Sequence, residues 1–546
     1  METLITVLIL LFAVVVSGGV ARFLPQAIPL PLIQIGTGIL IAAVADLGIV
    51  LDPELFFVLF LPPLLFLDGW RIPKQGLFAD IGAILDLALG LVVFTVLGIG
   101  FFVHWMIPGI PLPVAFALAA ILSPTDPVAV SAIAGRVKVP KRLMHILEGE
   151  SLLNDASGLV CMRFAVAAAM TGMFSLPQAV GTFLWLALAG IAVGVAVTWV
   201  VTKAKGWIAR RFGEDASAQI LVSLLLPFTA YLIAEHLHAS GILAAVAAGM
   251  AMSYAEQTGR TLATTRIRRN AVWDAVQFAL NGVMFVVLGE QLPAIVSKAA
   301  QVVRDTGHVH PAWMIVYVLA INAALAALRF GWVWVALRLT IYRARRNGTP
   351  KQLPGWRLVA ATSVAGARGA VTLAGILSLP LLLDDGSPFP ARDLAIFLAA
   401  CVIIVSLVMA STALPVLLRG MDMPAPPSEQ RAEDAVRTAA AQAAIQAAQA
   451  VQQSVPEGAQ TELYTRAVSR LTDYYRERIE GYAAKEIADT ARAHAALEAE
   501  RQVWLAAVRA ERAAIYLAVQ RRQIPEDTAR RMVQATDLLE SNLTNA

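Results

Sequence analysis

Cysteine is nearly missing from this chain: Cys161 and Cys401 are the only two in 546 residues. Both lie inside apolar runs, so a disulfide framework is not expected and the redox compartment is not readable from them. Charge is scarce as well. Asp, Glu, Lys and Arg make up 15% of the chain, where soluble domains carry about 25%. Hydrophobic residues fill 58%, where about 45–50% is usual. An ordinary soluble globule and a disordered chain are both excluded. Histidine is limited to seven residues with no His-Glu-x-x-His pattern, which argues against a zinc hydrolase. A net charge of +4 implies no nucleic-acid partner. No Lys or Arg precedes the apolar run 4–21 and no clear cleavage site follows it. That run is expected to be a first spanning helix rather than a removable signal peptide.

Long apolar runs are what the chain does have, and they are unevenly spread. Residues 1–418 hold 48 charged residues, whereas the much shorter stretch 419–546 holds 34. A membrane part is therefore followed by a polar one. A helix needs about 20 mostly apolar residues to cross the hydrocarbon core. Thirteen runs qualify as candidates, at roughly 3–21, 28–45, 54–69, 77–106, 113–134, 143–172, 178–202, 217–237, 240–254, 271–292, 312–341, 357–383 and 392–418. Alternate loops, starting after the first run, hold 21 Lys and Arg residues; the other loops hold Lys298, Arg304 and Arg392. By the positive-inside rule the rich set faces the cytoplasm. The N-terminus is then outside and the polar tail inside. The expected domains are a transmembrane unit over 1–420, a Pro-rich linker over 421–427 and a helical cytoplasmic tail over 428–546. Within the tail, helices are expected over 428–454, 459–522 and 525–543.

Ionisable residues inside spans cost about 2.5–3.5 kcal/mol each on insertion scales and are functional suspects by default. Asp68, Asp86, Asp126, Glu150, Asp155, Arg163, Arg329 and Arg368 lie well inside the runs. Three clusters form around them. In run 5, Ser123-Pro-Thr-Asp-Pro-Val-Ala-Val130 sets a Thr125-Asp126 pair between prolines that remove backbone donors and disfavour helix. The helix is expected to break there, around Asp126, where non-helical backbone is tolerated only if buried or lining a cavity. In run 6, Glu148-Gly-Glu-Ser-Leu-Leu-Asn-Asp155 puts Ser151 and Asp155 on one helix face, with Glu150 and Asn154 on a neighbouring strip. A hydroxyl, an amide oxygen and a carboxylate there suit a hard cation, which takes oxygen ligands. In run 12, Gly366-Ala-Arg-Gly-Ala370 holds a fixed cation among small residues. Arg368 is expected either to neutralise the inward end of a broken helix or to pair with a carboxylate. Runs 5 and 12 are fifth in each half if runs 1–6 and 8–13 are inverted repeats, and matched interrupted helices point to a transporter's binding site.

These clusters, in this order, resemble the monovalent cation:proton antiporter-1 family, which includes the bacterial sodium/proton exchangers related to mammalian sodium/hydrogen exchangers. Leu61-Pro-Pro-Leu-Leu-Phe66 and Ala327-Leu-Arg-Phe330 add to the match, which extends over residues 1 to about 420. The resemblance implies an all-α polytopic fold of about thirteen transmembrane helices in two inverted six-helix repeats, with two unwound helices crossing. It implies a dimerisation domain, a mobile core domain, a homodimer in the bacterial inner membrane, and alternating access without a cofactor. Asp155 would bind Na+ or H+. Ser151 and Thr125, the latter through its backbone, would be direct Na+ ligands, Asp126 would support the site and Asn154 would shape it. Glu150 and Arg329 would form a buried ion pair, and Arg368 matches the arginine at the crossing. The Asn154-Asp155 pair implies electroneutral one-for-one exchange. Relatives commonly carry a carboxylate where this chain has Leu67. Its acid is one residue later, at Asp68, and a one-residue shift turns a helical side chain by about 100°. Asp68 therefore stands only as a possible second-layer residue. Oxygen ligands serve Na+, Li+ and K+ alike. A cation channel built on the same acids, and more remotely an intramembrane aspartic hydrolase, are the rival readings.

Overall fold

A computed structural model describes the chain except for residues 1, 25–27, 45–52, 127–140, 172–175, 214, 257–262, 306–311, 347–354, 384–385, 420–426, 455–460, 485–489, 522, 524–528, 530–531, 534–535, 538 and 541–546. Residues 127–130 of the run 5 motif and nearly all of the Pro-rich linker thus lie outside the described residues.

The described residues are helical, with no β-strand beyond an isolated antiparallel bridge between Leu382 and Pro388. The first helices are α1 (Glu2–Phe23), α2 (Leu30–Val44), α3 (Pro53–Arg71), α4 (Lys74–Ala79) and α5 (Ile81–Leu85). A π-helix (Asp86–Leu91) leads into α6 (Val92–Met106), followed by α7 (Leu112–Leu122), α8 (Lys141–Thr171), α9 (Leu176–Phe212) and α10 (Ala216–His236). Next come α11 (Gly241–Glu256), α12 (Ala263–Asp305), α13 (Ala312–Arg346), α14 (Trp356–Val364), α15 (Ala370–Leu377) and α16 (Arg392–Leu418). The polar end of the chain holds α17 (Pro427–Gln453), α18 (Thr461–Ala484) and α19 (Thr490–Gln520). Two compact units result, Met1–Asp422 and Met423–Ala546.

Among the described residues of the first unit, eight continuous helical stretches are long and apolar enough to cross a membrane. They fall on runs 1, 4, 6, 7, 8, 10, 11 and 13. The helices on the other runs are shorter or carry paired prolines or a break: α2, α7 and α11 have 15, 11 and 16 residues, α3 contains Pro62 and Pro63, and run 12 is divided into α14 and α15. Run 4 differs from the single helix expected of it. It is divided into α4, α5, the π-helix and α6. The widened turn starts at Asp86, whose carboxylate accepts from the Trp332 indole of α13 at 3.3 Å.

Backbone-to-backbone packing joins several helices, and in two pairs a glycine serves on each side. Gly38 of α2 and Gly289 of α12 each lie against the other helix's main chain, and Gly69 of α3 and Gly249 of α11 do the same. Small residues at such contacts are how helices associate where lipid is as apolar as leucine. The largest buried cluster gathers Phe60 and Leu61 of α3, Leu118 and Ile121 of α7, Leu152 and Leu159 of α8, Leu373 of α15 and Leu398 of α16. Leu67 is buried in a second cluster with Trp273 and Ala244. In the second unit, Ile515 of α19 packs with Ala529 and Val533, and Gln452 of α17 donates to Thr465 of α18 at 2.9 Å. Within the segment 459–522, expected to be helical, α18 and α19 are described, and 485–489 lie outside the described residues.

Candidate functional site

The C-terminal ends of α7 and α14 meet here. α7 ends at Leu122, and Pro124, Thr125 and Asp126 run on without helix. α14 ends at Val364, and Gly366 to Gly369 separate it from α15. The prolines of the first motif and the glycines of the second account for both breaks. The breaks are bonded to each other: the Asp126 N–H donates to the Ala367 carbonyl at 2.7 Å. Gly369 lies so close to the Asp126 carboxylate that a Cβ would collide with it. Gly366 makes room for a different group, since a Cβ there would stand 2.9 Å from Arg329 Nε.

Arg368 is buried and donates through Nε to the Leu122 carbonyl at 3.0 Å and through Nη1 to the Gly366 carbonyl at 2.7 Å. Both of these bonds go to carbonyls, one of them at the C-terminal end of α7. A C-terminal helix carbonyl lacks an intrahelical partner and carries partial negative charge, so a guanidinium satisfies it doubly. The Arg368 N–H in turn donates to Ser406 Oγ of α16 at 3.0 Å. Ser406 carried no signal in the sequence, being one serine in an apolar run.

α8 supplies the polar strips. Glu150 and Arg329 form a two-pronged pair, with Arg329 Nη2 donating to Glu150 Oε2 at 2.7 Å and Nη1 to Oε1. Both side chains are at most 4% exposed. Arg329 Nε also donates to the Thr362 carbonyl at 3.1 Å, tying α13 to α14. Asn154 Nδ2 donates to Thr125 Oγ1 at 3.0 Å, and that hydroxyl donates to Glu150 Oε1 at 3.4 Å. The Thr125 side chain is thereby fixed between two residues of α8. Asn154 Oδ1 and Ser123 Oγ are buried and take no partner among the described residues.

Asp155 and Ser151 are buried one turn apart on α8. Asp155 lies in the electrostatic field of both Asp126 and Asp68. Asp68 is exposed while Leu67 beside it is buried, so the residue shift noted in the sequence turns the carboxylate away from the α11 contact. Not every intramembrane charge joins the cluster. Arg163 of α8 donates to Glu235 of α10 at 3.0 Å, and Asp86 bonds Trp332. Another group went unmarked in the sequence. Glu256 of α11 accepts from Trp70 at 3.0 Å and pairs with Arg269 of α12 at 2.7 Å, and the Arg269 guanidinium stacks over the Trp70 ring.

The described geometry can be set beside known proteins. Residues 7–420 match the family model for the sodium/hydrogen exchanger, transmembrane. The chain belongs to the sodium/hydrogen exchanger family. It is 41% identical over 551 residues to an Escherichia coli protein named an uncharacterized Na(+)/H(+) exchanger, YjcE, covering 100% of this chain and 99% of that one. It is 45% identical over 427 residues to a Bacillus pumilus protein named a sodium, potassium, lithium and rubidium/H(+) antiporter. That match covers 77% of this chain and 62% of the relative's length. The fold is similar to that of the sodium proton antiporter MjNhaP1 from Methanocaldococcus jannaschii, with a TM-score of 0.55 at 18% identity over 77% of this chain and 99% of that one. The family is one of multi-pass membrane transporters for cations and protons rather than of enzymes.

Proposed function

We propose that this family member exchanges Na+ for H+ one for one by alternating access at a site centred on Asp155. Asp155 takes either a proton or the cation, never both, and only a loaded site crosses. Ser151 and the Thr125 carbonyl are direct ligands to Na+. Asp126 supports the ion and Asn154 shapes the cavity. The Glu150–Arg329 pair braces the core. Arg368 fixes the crossing, and Asp68 stands in a second layer around the site. The observation that carries this reading is the bond from Asp126 to Ala367, which joins both interruptions beside a buried carboxylate. The Thr125 hydroxyl is held by Asn154 and Glu150, which leaves its carbonyl for an ion. Buried oxygens without donors, at Asn154 and Ser123, suit a hard cation better than a hydrogen-bond network.

The wider reading is a thirteen-span unit of two inverted six-helix repeats over 1–420, with dimerisation and core subdomains, assembled as a homodimer in the bacterial inner membrane. The N-terminus is outside, and residues 428–546 form a cytoplasmic tail after a linker at 421–427. Its service to the cell is pH homeostasis. The cytoplasmic side follows from the 21 basic residues in alternate loops. Na+ is the leading substrate. Li+ and K+ are open to the same oxygen ligands, and a relative's name includes sodium, potassium and lithium. Membership of the exchanger family leaves the channel and hydrolase readings without support.

The test is dequenching of a pH-sensitive dye in proteoliposomes holding the full chain. Na+, Li+ and K+ are added separately, with and without an imposed potential. Saturable cation-driven proton movement, unchanged by the potential, is expected. Flux without proton coupling, or with a rate set by the potential, would overturn the exchange or its stoichiometry respectively.

A further inference from the structure

Away from the helix crossing, α9, α10, α11 and α12 enclose a pocket of about 300 Å³ whose polar lining includes Lys203, Lys205, Arg210, Gln219, Glu256 and Arg269. Four cations against one carboxylate leave this lining strongly positive. Glu256 is engaged by Trp70 and Arg269 and also feels Lys205, and Lys203 lies over the Trp199 ring; the lining still carries more cations than carboxylates, which suits an anion. The depth of the pocket says which kind. Trp199 and Trp207 of α9 are exposed on either side of Lys203 and Lys205, and tryptophans beside basic residues at a helix end mark the headgroup level of a bilayer. Basic pockets between spanning helices at that level suit phospholipid headgroups. Leu226 and Met252 add an apolar wall, which suits the glycerol region of a lipid and gives nothing to free phosphate.

Gln219 sharpens the assignment. Its side chain lines the pocket, the residue is 9% exposed, and Oε1 has no donor among the described residues. A ligand that brings a hydroxyl would satisfy it. We infer that this pocket binds an anionic phospholipid whose headgroup carries a free hydroxyl, with phosphate against Lys203, Lys205 and Arg210 and the hydroxyl donating to Gln219.

The experiment is thermal unfolding of the full-length protein in detergent, titrated with phosphatidylglycerol, phosphatidylmethanol, phosphatidylcholine or sodium phosphate. Phosphatidylglycerol is expected to raise Tm of the wild type, ahead of phosphatidylmethanol, which has the same charge and no hydroxyl. Phosphatidylcholine and sodium phosphate are expected to do little. In the triple variant K203Q/K205Q/R210Q, half-saturation should need about a hundredfold more phosphatidylglycerol, at roughly fivefold per basic residue. Gln219→Leu should erase the preference over phosphatidylmethanol. The triple variant must unfold at the wild-type temperature in phosphatidylcholine; otherwise Lys203→Gln, at an exposed position, serves alone with about a fivefold expectation. Absence of a phosphatidylglycerol effect, or an equal effect in the charge variant, would overturn the site. Sodium phosphate matching the lipid would overturn the lipid assignment, and equal responses to the two anionic lipids would overturn the hydroxyl contact.

Discussion

The main chain of Asp126 is hydrogen-bonded to the main chain of Ala367 at 2.7 Å, so two breaks far apart in sequence are held together by backbone as well as by the Arg368 guanidinium on Leu122. The arrangement depends on Gly369, where a Cβ would run into the Asp126 carboxylate. Gly369→Ala is expected to push the breaks apart and cost about 1–3 kcal/mol by overpacking. Exchange in proteoliposomes should fall steeply while the protein still reaches the membrane. A variant with wild-type exchange would show that the close approach is dispensable.

Asp155→Asn should abolish exchange without unfolding. The side chain keeps its shape and loses its charge, so neither proton nor cation is held there. Proton flux driven by Na+ should drop to that of protein-free liposomes, while size-exclusion behaviour and Tm stay near wild type. Coupled flux at the wild-type rate would remove Asp155 from the site.

Glu150 and Arg329 are both buried and doubly bonded. Removing one partner leaves an uncompensated charge, and Glu150→Gln or Arg329→Met is expected to destabilise by about 3–5 kcal/mol. Replacing both with apolar residues should recover much of that loss. The measurement is Tm of the single and double variants. Normal melting of Glu150→Gln with lost transport would make Glu150 an ion ligand instead of a brace.

Arg368→Ala should leave the Leu122 carbonyl without its donor. Hydrogen bonds to charged groups are worth about 1.5–3 kcal/mol, and a loss of that order is expected in Tm. Arg368→Lys should recover only part, because a point charge does not reproduce the forked contacts to Leu122 and Gly366.

In the second unit, hydrogen bonds from Arg509 and then Arg512 hold the Glu540 carboxyl below its ordinary value of 4.5. A lowered carboxylate value means that this contact's contribution is fully present above 4.5 and is lost as pH falls through the lowered value. Acid should therefore loosen the segment around Glu540 from α19 first. Limited proteolysis of the full chain across the acid range checks this. Glu540→Gln should be cut near that segment at neutral pH as well.

Much of the site was legible in the sequence because prolines and glycines leave a mark on the backbone that no packing can erase. Pro124 and the Gly366–Gly369 motif located both breaks, and the spacing of Glu150, Ser151, Asn154 and Asp155 located the polar strips on α8. What the sequence could not carry was partnership across elements. It left Arg368 with two roles, because a guanidinium suits a carbonyl and a carboxylate equally well. Ser406 and Thr362 entered only through contacts made by other helices. The π-helix from Asp86 was hidden because its apolar residues fit an uninterrupted span as well as a widened one. Glu256 and Arg269 lay at run ends, where charge is unremarkable, and only packing against Trp70 distinguishes them. The short α7, with 11 residues, ends at the proline motif where a break was expected.

The guanidinium of Arg368 is taken up by carbonyl oxygens and that of Arg329 by Glu150. Neither arginine is left over to neutralise Asp155. On the exchange proposed above, an unloaded Asp155 would be a buried anion near a second carboxylate, Asp126, and that uncompensated charge would oppose crossing. The travelling ion or proton would supply the missing counter-charge, so charge balance itself would oppose slippage.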